Sequence, residues 1–219
     1  MSDNHHHEEN FIQKYVFSVD HKVIGLQYGV TSLLFLLFGF LLMAVMRYQL
    51  AYPETVIPYI GGWFFSESGG VMLPENYNTL GAMHGTIMIF LGVVPLAVGA
   101  FGNYLVPLQI GAPDMAFPKL NAASYWSYFV GGVIMIASFF TPEGAARSGW
   151  TSYPPLSIFE SGQTMWLLSM IFLITSSLLG SMNIIVTIVQ LRAPGLTWFR
   201  LPFFTVSYTH LTLPTTYHV

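Results

Sequence analysis

Four long stretches of the chain are apolar and almost free of charged residues. The first, residues 23–46, contains no Asp, Glu, Lys or Arg, and at 1.5 Å per residue a helix of that length crosses a hydrocarbon core of about 30 Å. Pro95 lies inside the second stretch, which membrane helices tolerate. The pattern predicts an all-α, polytopic transmembrane helix bundle with four complete spans. These spans are residues 23–46, 78–104, 122–140 and 163–190.

The composition supports a membrane protein rather than a soluble domain. Of the 219 residues, 53% are hydrophobic and only 8% are charged, whereas soluble domains have about 25% charged residues. The few basic residues form no basic face, so we expect no nucleic acid as a partner and a lipid bilayer as the surroundings. Because cysteine is absent, thiolate metal sites and cysteine nucleophiles are excluded. Nucleotide-binding, zinc-protease and nucleophile-elbow motifs are missing too.

The basic residues at the ends of the spans predict the orientation of the chain. Two of them, Arg47 and Arg147, lie on one side of the predicted bundle, and five lie on the other. Since cytoplasmic connections carry the excess of Lys and Arg, we expect a multi-pass protein with a cytoplasmic N-terminus. The five residues on the cytoplasmic side are Lys14, Lys22, Lys119, Arg192 and Arg200.

The last residues of the chain do not fit the pattern of spans. Residues 201–205 resemble the approach to a fifth span, but residues 207–219 are polar and rich in threonine and cannot cross lipid. We therefore predict that residues 206–219 are a non-native tail, and we assign no role to His210 or His218.

A single histidine, His84, lies inside the second span. It is about 9 Å along the helix from the predicted start of the span. An imidazole at membrane depth needs a partner, and a metal ion is the partner that it serves most often. Gly81 and Gly85 flank it and leave room for a flat ring or for close approach of another helix. Two interpretations stay open at this point: a haem or metal ligand, and a histidine bonded to the backbone or a hydroxyl of another helix.

Further polar residues lie near the ends of the first two spans. Asp114, with Asn103 and Asn121 on either side in sequence, forms a carboxylate flanked by amides. Such a group can collect protons and hold a water chain, or it can cap a turn between helix-end asparagines. Arg47 closes the first span at about the height of His84. It either donates to the polar edge of a cofactor or anchors the helix at the interface.

Six blocks of sequence occur in a fixed order along the chain. Together they identify a protein family more specifically than any one of them does. They are FSVDHKVIG (17–25), NTLGAMHG (78–85), FGNYLVPL (101–108), IGAPDMAFPKLN (110–121), GWTSYPPL (149–156) and GSMNIIVTI (180–188). These blocks resemble subunit I of the haem-copper terminal oxidases, and the bacterial cytochrome c oxidases are the most similar. The resemblance covers about residues 15–205.

The resemblance implies a role for each candidate residue. His84 would be an axial ligand of the low-spin haem, haem a or haem b, which passes electrons to the oxygen-reducing centre. Arg47 would lie beside the formyl edge of that haem. Asp114, with Asn103 and Asn121, would form the mouth of the D-type proton pathway.

Two positions depart from the pattern of the family. Ala122 stands where the family often has a second asparagine, and Lys119 stands where arginine is common. The first departure means that part of the predicted proton mouth differs here.

The resemblance also implies what the remainder of the subunit supplies. The ligands of the second haem and of copper B lie on later helices of the family, so we expect an N-terminal fragment with four of about twelve helices, inactive alone. His21 receives no ligand role.

The intact enzyme would be an oxidase of the bacterial inner membrane that moves protons while it reduces oxygen with electrons from cytochrome c. Its partners would be oxidase subunits II and III. A quinol oxidase of the same superfamily and a non-redox membrane transporter remain alternatives.

Overall fold

The structure is a computed structural model that describes residues 11–141, 144–158 and 162–212. Within these ranges the chain forms helices and connections and no β-strand. Four helices are long and apolar enough to cross a membrane, which confirms the all-α bundle predicted from the sequence. The α-helices are α1 (Phe11–Tyr15), α2 (His21–Ala51), α3 (Gly61–Phe64), α4 (Pro74–Thr86), α5 (Asn103–Ile110), α6 (Pro118–Ala137), α7 (Gln163–Gln190) and α8 (Phe203–Thr212).

The second span is one continuous helix of mixed geometry. It begins as α4, passes through two π-helical segments, Ile87–Val93 and Pro95–Gly102, and ends as α5. π-Helical turns are rare and widen the helix, and they are often found at functional sites. Pro95 begins the second segment, where its ring and its missing N–H disfavour a regular α-helix.

Local sequence explains why the helices start where they do. The side chain of Asp20 accepts the N–H of Lys22 at 2.7 Å and caps α2. Pro74 and Pro118 occupy first-turn positions of α4 and α6, where a missing N–H is harmless. The second span thus starts at Pro74 rather than at residue 78, so His84 lies about 15 Å along the helix instead of 9 Å.

Hydrogen bonds between helices hold α6 against α7. The hydroxyl of Ser127 donates to the carbonyl of Phe172 at 2.8 Å, and that of Ser169 donates to the carbonyl of Gly131 at 2.6 Å. A Cβ atom at Gly131 would lie 3.1 Å from the Phe172 side chain and from the Ser169 carbonyl. Small residues therefore let the two backbones come close enough for serine to bridge them, as is common in membrane helix pairs.

The first span packs against the second through glycines. A Cβ atom at Gly99 would lie 2.6 Å from the ring of Tyr28, and one at Gly39 would lie 2.8 Å from Sδ of Met88. The Tyr28 ring also stacks on the ring of Tyr128 of α6, with 5.1 Å between their centroids. The hydroxyl of Tyr28 lies 3.1 Å from that of Ser176 of α7, so all four spans meet at Tyr28.

The bundle has two distinct ends. At one end, called the long-connection end, lie residues 52–73 and the described part of the connection between α6 and α7. At the other, called the Asp114 end, α2 begins, α5 ends, α6 begins and α7 ends. Much of the outer surface between the ends is apolar; Leu33, Leu34 and Leu37 of α2, for example, are more than half exposed. Lipid or further helices suit such a surface better than water does.

Candidate functional site

The ring of His84 is held by the backbone of the first span. Its Nδ1 lies 2.8 Å from the carbonyl oxygen of Gly39. Because a carbonyl oxygen can only accept a hydrogen bond, Nδ1 carries a proton, and in the neutral ring Nε2 then has the lone pair. Nε2 makes no hydrogen bond with any residue that the structure describes. A metal-ligating histidine has this arrangement, in which the other ring nitrogen donates to a backbone carbonyl.

The helix surface beside His84 is open on the Gly85 side. The side chain is half-buried, and a Cβ atom at the adjacent Gly85 would meet nothing within 4 Å among the described residues. The structure thus shows the second interpretation, a bond to another helix's backbone, through one ring nitrogen. The other ring nitrogen is left available, so ligation stays a prediction. The donor set fits one axial position of a haem iron.

Arg47 lies further from His84 than the sequence suggested. It follows Gly39 by eight residues on α2, which places it about 12 Å closer to the long-connection end than the His84–Gly39 hydrogen bond. On this spacing the backbone of Arg47 lies beyond the height of His84, and the expected role of its side chain beside a cofactor stays a prediction. Its side chain is exposed and makes no hydrogen bond or ion pair with the described residues. An arginine side chain is long, so its guanidinium can still turn back toward a group bound at His84.

Asp114 lies in the loop between α5 and α6, and α7 fixes that loop. The side-chain amide of Asn183 accepts the N–H of Phe117 at 2.9 Å and donates to its carbonyl at 3.1 Å. Thr187, one turn further along α7, accepts the N–H of Ala116 at 2.9 Å. Asp114 itself is half-buried and accepts the N–H of Met115 at 2.7 Å. The carboxylate is thus presented on a loop of fixed shape.

The two predicted asparagines are buried and incompletely hydrogen-bonded. Asn103 is 2% exposed and Asn121 is fully buried. Asn103 donates from Nδ2 to the carbonyl of Gly99 at 2.6 Å, while its Oδ1 has no partner among the described residues. Neither side-chain atom of Asn121 has one. A bare buried amide costs about 1–3 kcal/mol per group, so these atoms are suited to bind ordered water. The structure shows no direct hydrogen bond between either amide and Asp114.

A second buried polar cluster lies deeper in the bundle, and the sequence did not predict it. The hydroxyl of Tyr28 lies 2.7 Å from that of Ser124 and 3.1 Å from that of Ser176. Ser124 also donates to the backbone carbonyl of Ser176 at 2.9 Å. Ser124 follows Asn121 by one turn of α6, so the cluster continues the line of Asn121 into the bundle. The spacing of these two α6 residues was a usable signal, but the tyrosine and the second serine come from other helices.

Positions 183 and 187 are a further pair that sequence reasoning missed. They lie one turn apart on α7 and are both fully buried. Two buried polar residues at this spacing in an apolar span indicate a common partner, here the loop that carries Asp114.

Taken together, these features define an integral membrane helix bundle of the haem-copper oxidase class. The chain belongs to the family described as cytochrome c and quinol oxidase polypeptide I, which it matches over residues 23–218. That membership implies haem and copper as cofactors. Within the described residues, no group of three or more His, Cys, Asp or Glu side chains could hold a metal ion.

Three relatives illustrate the similarity. Cytochrome c oxidase subunit 1 of Thermostichus vulcanus is 48% identical over 192 residues, which cover 87% of this chain and 32% of that protein. The subunit of the same name from Synechocystis sp. is 44% identical over 201 residues, 91% of this chain and 33% of that protein. A haem-copper oxidase subunit I+III of Aeropyrum pernix is 42% identical over 201 residues, 90% of this chain and 23% of that protein. The chain therefore spans about a third of the length of the first two relatives.

Proposed function

We propose that this chain is part of the catalytic subunit of a respiratory cytochrome c oxidase, in which His84 binds the low-spin haem and the Asp114 end admits protons. The intact enzyme transfers electrons from cytochrome c to oxygen and moves protons across the membrane. Family membership and the names of the relatives support the reaction. The observation that carries the proposal is the hydrogen bond from His84 to Gly39, which leaves one ring nitrogen available to iron.

The haem, when bound, supplies one-electron transfer at a potential set by its ligands and surroundings. The protein residues determine its position. The Gly39 carbonyl fixes the tautomer and the orientation of the His84 ring, and it raises the basicity of Nε2. Arg47, from the same helix as Gly39, would donate to the polar edge of the group. A second haem and copper B belong to the remainder of the subunit.

The proposed proton path begins at Asp114 and enters the bundle along α6. Asp114 exchanges protons with water at the membrane surface. Asn103 and Asn121 hold water molecules through amide atoms that have no partner among the described residues. Ser124 then leads to the hydroxyls of Tyr28 and Ser176, which form a hydrogen-bonded cluster beyond the asparagines. Hydroxyls and water each donate and accept, so a chain of them can relay a proton.

The arrangement in the cell follows from the distribution of charge. We propose a bacterial inner-membrane protein whose N-terminus and Asp114 end face the cytoplasm, with oxidase subunits II and III as partners. Lys22, Lys119 and Arg192 all lie at the ends of spans that meet at the Asp114 end, and the positive-inside preference supports this orientation.

A quinol oxidase is the second candidate, because the family's own description includes quinol oxidases. It would share the haem ligand and the proton path but take its electrons from a membrane quinol. Oxidation of purified reduced cytochrome c by the intact enzyme distinguishes the two donors.

A pair of variants in the intact oxidase tests the proposal. His84→Ala removes the ligand nitrogen, so we expect loss of the low-spin haem band in the reduced-minus-oxidised spectrum. Asp114→Asn removes a titratable group far from the haem, so we expect an unchanged spectrum and slower proton uptake. Each variant is the control for the other. A normal low-spin spectrum from His84→Ala would refute the ligand assignment, and unchanged uptake in Asp114→Asn would refute the entrance.

A further inference from the structure

His21 is a buried histidine to which the proposed function gives no role. It is the first residue of α2 and is only 2% exposed. Its Nδ1 lies 2.8 Å from the backbone carbonyl oxygen of Asn103 on α5. The carbonyl can only accept, so the imidazole is the donor. This bond ties the start of the first span to the part of the second span nearest the Asp114 end.

The carbonyl that His21 binds is one that its own helix cannot satisfy. In an α-helix the C=O of Asn103 accepts the N–H of the residue four positions later. That residue is Pro107, which lies inside α5 and has no N–H. Both residues are buried, so solvent is a poor substitute. The imidazole therefore occupies the place of the missing backbone donor.

The other proline inside this span is treated in the same way. Leu91 lies four residues before Pro95, and its carbonyl accepts a hydrogen bond from the hydroxyl of Tyr128 at 2.7 Å. Tyr128 belongs to α6. At both prolines a side chain from a neighbouring span donates to the carbonyl four residues earlier. Because Leu91 lies in a π-helical segment, where the backbone partner is five residues later, this contact is similar but not equivalent, and the role of His21 is inferred from Pro107.

We propose that His21 is a positioning residue that replaces the N–H absent at Pro107 and thereby fixes Asn103 for proton uptake. Asn103 receives the imidazole at its backbone carbonyl and anchors its side chain by donating to Gly99. Because the backbone carbonyl and the side-chain nitrogen of Asn103 are both held, its Oδ1 can bind water from only one direction. This inference rests on the proposed role of Asn103 in the proton path.

Restoring the missing N–H is the direct test, and it uses the intact oxidase. The variants are His21→Leu, His21→Asn, Pro107→Ala and the double variant His21→Leu/Pro107→Ala. The measurements are the midpoint of thermal unfolding, the rate of proton uptake and the haem spectrum. We expect His21→Leu to lower the midpoint by several degrees and to slow uptake severalfold. His21→Asn keeps an amide donor near the position of Nδ1 and should retain most of both.

The double variant tests whether His21 replaces the missing N–H. The Pro107→Ala substitution restores that backbone N–H, so His21 should no longer be needed. We expect it to recover both the midpoint and the uptake rate relative to His21→Leu. Tyr128→Phe serves as the matched control, since Pro107→Ala should not rescue it. If the double variant is as impaired as His21→Leu, the inference is wrong.

Proton uptake separates this inference from the proposed function. If Pro107→Ala rescues the unfolding midpoint while uptake stays normal in every variant, the hydrogen bond replaces the N–H but does not position Asn103 for uptake. That outcome would overturn the positioning role, whereas unchanged uptake in Asp114→Asn would overturn the proposed proton entrance. If Pro107→Ala does not rescue the unfolding midpoint of His21→Leu, the hydrogen bond of His21 does not replace the missing N–H, and the positioning role is wrong.

Discussion

Gly39 serves His84 in two ways. Its carbonyl accepts the hydrogen bond from Nδ1, and its lack of a side chain lets α2 approach the second span closely enough for that bond to form. A Cβ atom there would lie 2.8 Å from Sδ of Met88 and 3.4 Å from the side chain of Ile87. The sequence identified His84 as a candidate because a lone imidazole in a span is costly. It could not identify Gly39, which is 45 positions away.

We predict that Gly39→Val weakens haem binding at His84 without touching the histidine. The branched side chain must displace Met88 and separate the helices, which lengthens the bond that orients the ring. The low-spin band in the reduced-minus-oxidised spectrum should fall and broaden. Gly29→Ala, on the same helix, is the control, because its Cβ would meet Ala100 at an ordinary 3.6 Å. An unchanged spectrum for Gly39→Val would show that the helix spacing does not position His84.

Serine hydroxyls that cross between helices contribute differently from hydroxyls that bond within a helix. Ser169 donates to Gly131 on α6, whereas Thr175, further along the same helix α7, donates to Ile171 of its own backbone at 2.8 Å. Interhelical hydrogen bonds in membrane proteins contribute about 0.6 kcal/mol on average. The sequence predicted both spans but not which hydroxyl faces the other helix, because packing decides that.

We predict that Ser169→Ala destabilises the α6–α7 pair by about 0.6 kcal/mol or more, since it leaves the Gly131 carbonyl without its interhelical donor. Thr175→Ala should change the free energy of unfolding less, because its hydroxyl only bonds back to its own helix and the residue is exposed. Equilibrium unfolding of the subunit in detergent measures both. Equal losses would indicate that the crossing bond adds nothing to the packing of the pair.

The second span shows the limit of sequence reasoning for a whole element. Its existence and approximate extent were predictable from an uncharged apolar stretch. Its π-helical middle was not: Pro95 is visible in the sequence, but the tyrosine on α6 that donates to the carbonyl of Leu91 is known only from the structure. The start of the span also moved four residues outward, where Pro74 begins the helix.

The orientation of the whole bundle gives a prediction that can be tested with single cysteines, because these 219 residues contain none. Tyr59→Cys, at the long-connection end, should react with a membrane-impermeant maleimide on intact cells, since Tyr59 is 99% exposed. Phe199→Cys, at the Asp114 end, should react only after the membrane is permeabilised. Leu37→Cys, on the apolar face of α2, should react poorly in both conditions and serves as the control. The reverse pattern would place the N-terminus outside and reject the proposed cytoplasmic proton entrance.

The sequence determined some features of the candidate site, and the packing of the helices determined the others. Composition and uncharged runs determined a four-span membrane bundle, because burial in lipid requires long helices whatever their neighbours are. A lone imidazole, a carboxylate and two amides in an apolar chain were conspicuous for the same reason. Only the tertiary structure decided that Gly39 holds His84, that Asn183 and Thr187 hold the Asp114 loop, and that His21 reaches Asn103. Each of these is a hydrogen bond between residues far apart in sequence, and its geometry exists only once the helices have packed.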